Sequence, residues 1–227
     1  MTDDAALEAF RLADSFLPVG TYTVSYGLEQ FIQNGRVTDA TDLEELLTTY
    51  LRRKLATTEL VALRHAHAGA VEGDLETVRD ADRRLTAVTM AAEFRRSSRQ
   101  SGRRLLTLQR ELNGADLLER YADGLDDAAG NYAVVLGVVT GLTGVGEREA
   151  CRLCCHGFVT GLLGAAQRLL SLGHTDAQRI LCSLHSTMTT AIDDSDERTL
   201  TELTSFTPLV DIHAAEHERA DRRLFIS

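Results

Sequence analysis

The residues with most chemical potential in this chain are its histidines and cysteines, which fall in a few short clusters. His213-Ala214-Ala215-Glu216-His217 spells H-x-x-E-H, the inverted form of a zinc-protease helix. On a helix His213 and His217 share a face, as two metal ligands should, with Glu216 beside them. Only ten residues follow, which leaves little room for a third ligand downstream. Chance spacing in a surface tail is the stronger reading. Cys151, Cys154, Cys155 and His156 open a long helical stretch, and Cys182 and His185 lie on the next. The pattern C-x2-C with C-x2-H offers four ligands for zinc or nickel: Cys151, Cys154, Cys182 and His185. Positions 151, 154 and 155 also share one helix face, and thiols are among the most buried side chains. Helix packing is therefore the first reading, and a direct metal site is the alternative. His65-x-His67 is too short to bind a metal unaided.

Other reactive patterns are missing from the sequence. No G-x-x-x-x-G-K-[ST] occurs and no glycine loop precedes Lys54, which excludes a phosphate cradle of that kind. No G-x-S-x-G elbow appears. The run Ser97-Ser98-Arg99-Gln100-Ser101-Gly102-Arg103 is a polar patch inside a helical stretch, either a solvated face or a contact surface.

The elements that position these residues read as helices throughout. Aromatic residues make up 5% of the chain, Trp is absent, and Pro18 and Pro208 are the only prolines, so Leu and Ala carry the packing. No segment alternates with a period of two, and no repeat of solenoid length appears. Leu7, Phe10, Leu12 and Leu17 set a first helix ending at Pro18. A second spans Val24 to Gln33, with Thr23 or Ser25 as its cap. A third follows a capping box at Thr41 and Glu44, runs through Leu43, Leu47, Tyr50 and Leu51, breaks near Thr57-Thr58 and ends at His67. Later helices are expected over Leu75–Leu85, Met90–Leu112, a short piece to Ala122, Ala128–Leu142 capped by Asp126 or Asp127, Glu147–Leu172 and Thr175–Ile192. After them come an acidic loop at Asp193–Asp196, a last irregular helix from Glu197, and a tail from Pro208 to Ser227. The expectation is an all-α single domain over 1–227, with about nine or ten helices around a central long helix pair and 208–227 as a docking tail. Gly157, Gly161 and Gly164, with Ala165 and Ala166, put small residues on one face for a close helix pair or a dimer seam.

Charge narrows the function. The chain has 34 acidic and 24 basic residues, net −10, with a pI of about 5.2. That field repels phosphate, so neither nucleic acid nor an anionic membrane is an expected partner. Lys54 is the only lysine, and arginine favours interfaces. The longest weakly polar run, Ala133 to Gly146, falls short of the ~20 residues that span a bilayer. No apolar leader opens the chain and the cysteines do not form a secreted framework, so a cytoplasmic protein is expected.

The stretch Leu12 to Glu29 organises the rest. A Pro18-x-Gly20 elbow is bunched with Tyr22, Ser25 and Tyr26, polar-tipped side chains that suit a partner surface. A buried elbow with satisfied tyrosines is the competing reading. This stretch resembles the N-terminal signature of the UreF family of urease accessory proteins, matching at Ala13, Asp14, Ser15, Leu17, Pro18, Gly20, Tyr22, Ser25, Gly27, Leu28 and Glu29. Ser98 to Leu105 and Ala165 to Leu181 resemble later family blocks. So does the tail, at Thr207, Pro208, Leu209, Ile212, His217, Glu218, Arg223, Leu224, Phe225 and Ser227. Glu216, Asp221 and His174 depart from the family pattern, where arginine, tyrosine and glutamine are common. The resemblance implies a non-catalytic, dimeric urease-maturation factor, with no cofactor or resident metal of its own. It would bridge the UreD/UreH accessory protein and the UreG GTPase so that nickel reaches apo-urease, with an effect on GTP hydrolysis of unspecified sign. The expected contact residues are Pro18, Gly20, Tyr22, Ser25, Tyr26, Glu29, Arg168, Arg179, His217, Glu218, Arg223, Leu224 and Phe225.

Overall fold

Helical periodicity is realised as helices along the described residues. The computed structural model describes residues 2–20, 25–126, 129–205 and 207–219, with 216–219 described by backbone alone. Among them are twelve α-helices and no strand: α1 (Asp3–Ala13), α2 (Leu28–Gln33), α3 (Ala40–Arg53), α4 (Glu59–Glu72), α5 (Leu75–Val88), α6 (Ala92–Asn113), α7 (Asp116–Asp123), α8 (Tyr132–Leu142), α9 (Glu147–Leu169), α10 (His174–Ser183), α11 (His185–Asp196) and α12 (Pro208–Arg219). The protein is all-α as expected. The helices outnumber the nine or ten expected partly because Thr175–Ile192 splits at Leu184 into α10 and α11.

Several boundaries differ from the sequence reading for local reasons. The first helix stops at Ala13, five residues before Pro18. The Asp14 carboxylate accepts the Phe16 N–H at 2.8 Å, forming an Asx turn that competes with the helix. The second helix starts at Leu28 rather than Val24, because Tyr26 (φ 48°) and Gly27 (φ 79°) are both left-handed. The third is capped by Asp39, whose carboxylate accepts from Thr41 N and Asp42 N at 2.8 and 3.0 Å, so Thr41 is already inside it. Helix α4 continues past His67 and through Gly69 to Glu72, where Gly73 at φ 72° ends it. The acidic run Asp193–Asp196 is the last turn of α11, not a loop, and Pro208 opens α12 rather than an irregular tail. Thr23, Val24, Asp127 and Ala128, named as caps or starts, lie outside the described residues.

The closest helix pair is α4 against α8. Gly137 and Gly141 of α8 are spaced one turn apart and face α4. A Cβ on Gly137 would overlap the Leu63 carbonyl, and one on Gly141 would sit 2.8 Å from the His67 carbonyl. Here backbone meets backbone, which only glycine allows. Two glycines of the small α9 face have no such neighbour within the chain: a Cβ on Gly157 or Gly164 would meet nothing within 4 Å. Around the α4–α8 pair, α3, α5, α6, α9 and α11 bury their apolar rows, including Leu43, Leu47, Leu85, Leu105, Leu162 and Ile192. Each such side chain contributes about 1.5–3 kcal/mol of transfer free energy. Among the described residues, no helix is long and apolar enough to cross a membrane.

Candidate docking surface

The elbow is an inward-facing joint, and its aromatic residue is its centre. The Tyr26 ring lies 5.3 Å from Phe94 of α6 and 4.8 Å from Phe158 of α9, tilted in both cases. Its carbonyl accepts the Tyr50 hydroxyl of α3. Burial pushes the phenols of Tyr26 and Tyr50 well above their ordinary range, so both stay protonated hydrogen-bonding groups. Ser25 is fully buried with its Oγ unpartnered, and Glu29 is buried with Oε1 accepting from Gln33 at 3.3 Å. The structure therefore places Ser25, Tyr26 and Glu29 in the joint. Of the elbow residues expected to meet a partner, Pro18 is exposed, Gly20 is buried at φ 78°, and Tyr22 lies outside the described residues.

A cation sits at the back of this joint. Lys54, at the end of α3, is 5% exposed and donates to the Glu59 carboxylate of α4. Its Nζ is 5.5 Å from the Tyr26 ring centre and 5.8 Å from that of Phe94. A cavity of about 70 Å³ opens beside it, lined also by Ser98, Asn131, Cys154 and Phe158. Burial pushes the Lys54 ammonium down to about 8, while Cys154 and Asp211 of α12 pull it upward. Asp211 is itself raised by burial, with Lys54 opposing. The charge of Lys54 thus bears on α12, which packs over α2 and α6. Sequence reasoning missed this pair. The signal available was the chain's one lysine, placed at the break between two helices.

A second buried network fixes the loop before α8. Asp82 of α5 is 1% exposed, on the same row as Val78 and Leu85. Its carboxylate accepts from Tyr121 Oη at 2.6 Å, Gly130 N at 2.6 Å, Asn131 N at 3.0 Å and Asn131 Nδ2 at 2.6 Å. An acid on an apolar helical row was the cue for it. So many donors make the network a structural anchor.

The metal alternative is overturned. Cys151, Cys154 and Cys155 are buried in the core, and burial raises their thiols, to about 12 for Cys151 and Cys155 and well above the ordinary value for Cys154. A ligand must be thiolate, so these surroundings oppose metal binding. Cys182 is exposed, and the described residues hold no group of three or more His, Cys, Asp or Glu able to hold an ion, so Cys151, Cys154, Cys182 and His185 are not gathered into a site. His213 is instead a packing residue, edge-on to Phe31 with ring centres 4.4 Å apart and its Nδ1 3.4 Å from Asn34 Nδ2. His67 bonds the Val145 carbonyl at 2.8 Å.

Other expected contact residues lie on the surface. Arg168 is exposed and its Nε donates to the Gly164 carbonyl at 3.1 Å, while Arg179 is exposed and pairs with Asp176 at 2.7 Å. The backbones of His217 and Glu218 belong to α12, but their side chains, and all of Arg223, Leu224 and Phe225, lie outside the described residues. Phe10 is 73% exposed on α1 and Phe16 91% exposed just after it, and Leu209 and Ile212 are exposed on α12.

An all-helical scaffold, built around an internal joint and carrying bare apolar side chains at both ends, is the class these features define. The UreF family model matches residues 37–185, and a urease accessory protein UreF from Trichodesmium erythraeum is 36% identical over 96% of this chain and 95% of its own length. Proteins of the same name from Yersinia pseudotuberculosis and Yersinia enterocolitica are 29% identical over 96% of both chains. The chain belongs to the UreF family.

Proposed function

We propose that this chain is a non-catalytic urease maturation factor that works by docking. In this reading it is a cytoplasmic homodimer. It bridges the UreD/UreH accessory protein, which contacts apo-urease, and the UreG GTPase, which brings nickel, and it alters GTP hydrolysis on UreG. The observation that carries the reading is likeness to proteins named for urease accessory function along nearly the whole chain. The exposed apolar side chains of α1 and α12 support it, because bare aromatic and aliphatic groups in water mark surfaces that a partner covers. Pro18, Arg168, Arg179 and the segment from His217 to Phe225 are the proposed contacts, and Gly20, Ser25, Tyr26 and Glu29 hold the elbow in shape.

Pull-down of purified UreG and UreD/UreH by this chain tests the reading. Binding of both is expected, with loss of at least one on deleting Ala220 to Ser227. Unchanged binding after the deletion removes the tail from the account. Failure of the intact chain to bind either protein overturns the whole.

A further inference from the structure

We propose that Arg104, on the outer face of α6, is the docking point for a carboxylate-bearing segment of a partner protein. The proposal rests on the docking reading above and gives it a location and a chemistry.

Two adjacent arginines of α6 have opposite fates. Arg103 turns inward: its Nε donates to the Ala129 carbonyl at 3.1 Å and its Nη2 to the Asp126 carbonyl, fixing the loop before α8. Arg104 is exposed and makes no hydrogen bond or ion pair with the described residues. It is nevertheless positioned. Gly20 faces it from the elbow at φ 78°, where a Cβ would overlap Arg104 Nη1 and lie 3.5 Å from its Cζ. The guanidinium therefore rests on the elbow backbone.

The surroundings specify the occupant. A groove of about 460 Å³ runs between the elbow and α6, where Arg103 and Arg104 both line it with Pro18, Gln100, Leu108 and Glu111. Pro18 and Leu108 give it apolar edges, which suit a polypeptide better than a bare anion. Glu111 lies seven residues further along α6, about 10 Å away by helical rise, and repels a second acid or a phosphate there. The fitting segment carries an acid opposite Arg104 and a neutral or basic residue about 10 Å further on. Internal carboxylates are plentiful, 34 against 24 basic groups, and exposed arginines such as Arg110 and Arg152 have taken one. An arginine held in place beside a groove yet given none is poised for an acid from outside.

The experiment measures equilibrium binding of purified UreD/UreH and of UreG, separately, to the full chain and its variants. Arg104→Gln should weaken one of the two about 10- to 100-fold, the range of a charge-assisted hydrogen bond. Arg104→Glu should weaken it further, and Arg104→Lys should fall between because a point charge lacks the bidentate fork. The difference between wild type and Arg104→Gln should shrink as salt rises from about 0.01 M to about 1 M. Arg36→Gln, an exposed change elsewhere, should bind as wild type does. Melting curves identify any variant that fails to fold, and the Gln and Lys variants carry the test if Glu does so. Unchanged binding by Arg104→Gln, where wild type binds, overturns the proposal and leaves the docking reading standing. Loss of self-association with partner binding intact assigns the groove to a second copy and also overturns it. Absence of wild-type binding to either protein removes both.

Discussion

Adding one methyl group at Gly137 should cost far more than adding one at Gly157, although both glycines lie in helices. At Gly137 the new Cβ would overlap the Leu63 carbonyl oxygen and stand 3.2 Å from both Ala66 Cβ and His67 N. The obstacle is α4 backbone, which no rotamer change removes, so α8 must retreat along the tightest seam in the protein. Overpacking of this kind costs about 1–3 kcal/mol or more, against roughly 1 kcal/mol gained from alanine's helix propensity. A net loss of about 1–2 kcal/mol is expected, lowering Tm by about 2–8 °C for a chain of this length. At Gly157 nothing lies within 4 Å of the new methyl, so the propensity gain stands alone and Tm should rise by ~1–4 °C. Thermal melts followed by circular dichroism read both shifts. A Gly137→Ala variant melting at or above wild type would refute the α4–α8 seam, and a Gly157→Ala variant falling as far as Gly137→Ala would show that a close neighbour covers the small face of α9.

Two further outcomes follow from the buried polar groups. Asp82→Asn aims an amide donor at the donors of Tyr121, Gly130 and Asn131, so about 3 kcal/mol of stability should be lost, with faster amide exchange at Gly130 and Asn131. Native-like exchange there would mean that the loop is held some other way. Lys54 has a folded-state pKa of about 8 against 10.5 unfolded, so at this residue the unfolded chain binds more protons between those values and the Lys54 contribution to stability should rise with pH across that window. The slope is at most ~1.4 kcal/mol per pH unit. The buried thiols act in the opposite direction from pH ~8.5 and the raised tyrosines above pH ~10, because unfolding then releases thiol and phenolic protons. Denaturant titrations at intervals from pH 7.5 to 9.5 should show wild type gaining stability relative to Lys54→Met as pH rises, the thiols being common to both; a constant difference would exclude Lys54 as the cause.

What could be read from the sequence was whatever depends on one helix at a time. Periodicity located α3, α5 and α6, and residue types marked the elbow at Pro18 and Gly20. What it could not give was the sense of burial, which depends on which other helix arrives. Tyr22, Ser25 and Tyr26 look alike as a polar-tipped cluster, yet Tyr26 lies between Phe94 and Phe158, residues far along the chain whose approach no local pattern encodes. Gly137 and Gly157 are equally bare in sequence and differ only in whether α4 stands opposite. The same holds for Arg103 and Arg104, adjacent residues pointed at different neighbours, one toward the Asp126 and Ala129 carbonyls and one over Gly20. A signature matched along the chain can therefore mark residues that shape a surface from within as well as those that form it. In this elbow Tyr26 is of the first kind, while Pro18, beside the groove that holds Arg104, is of the second.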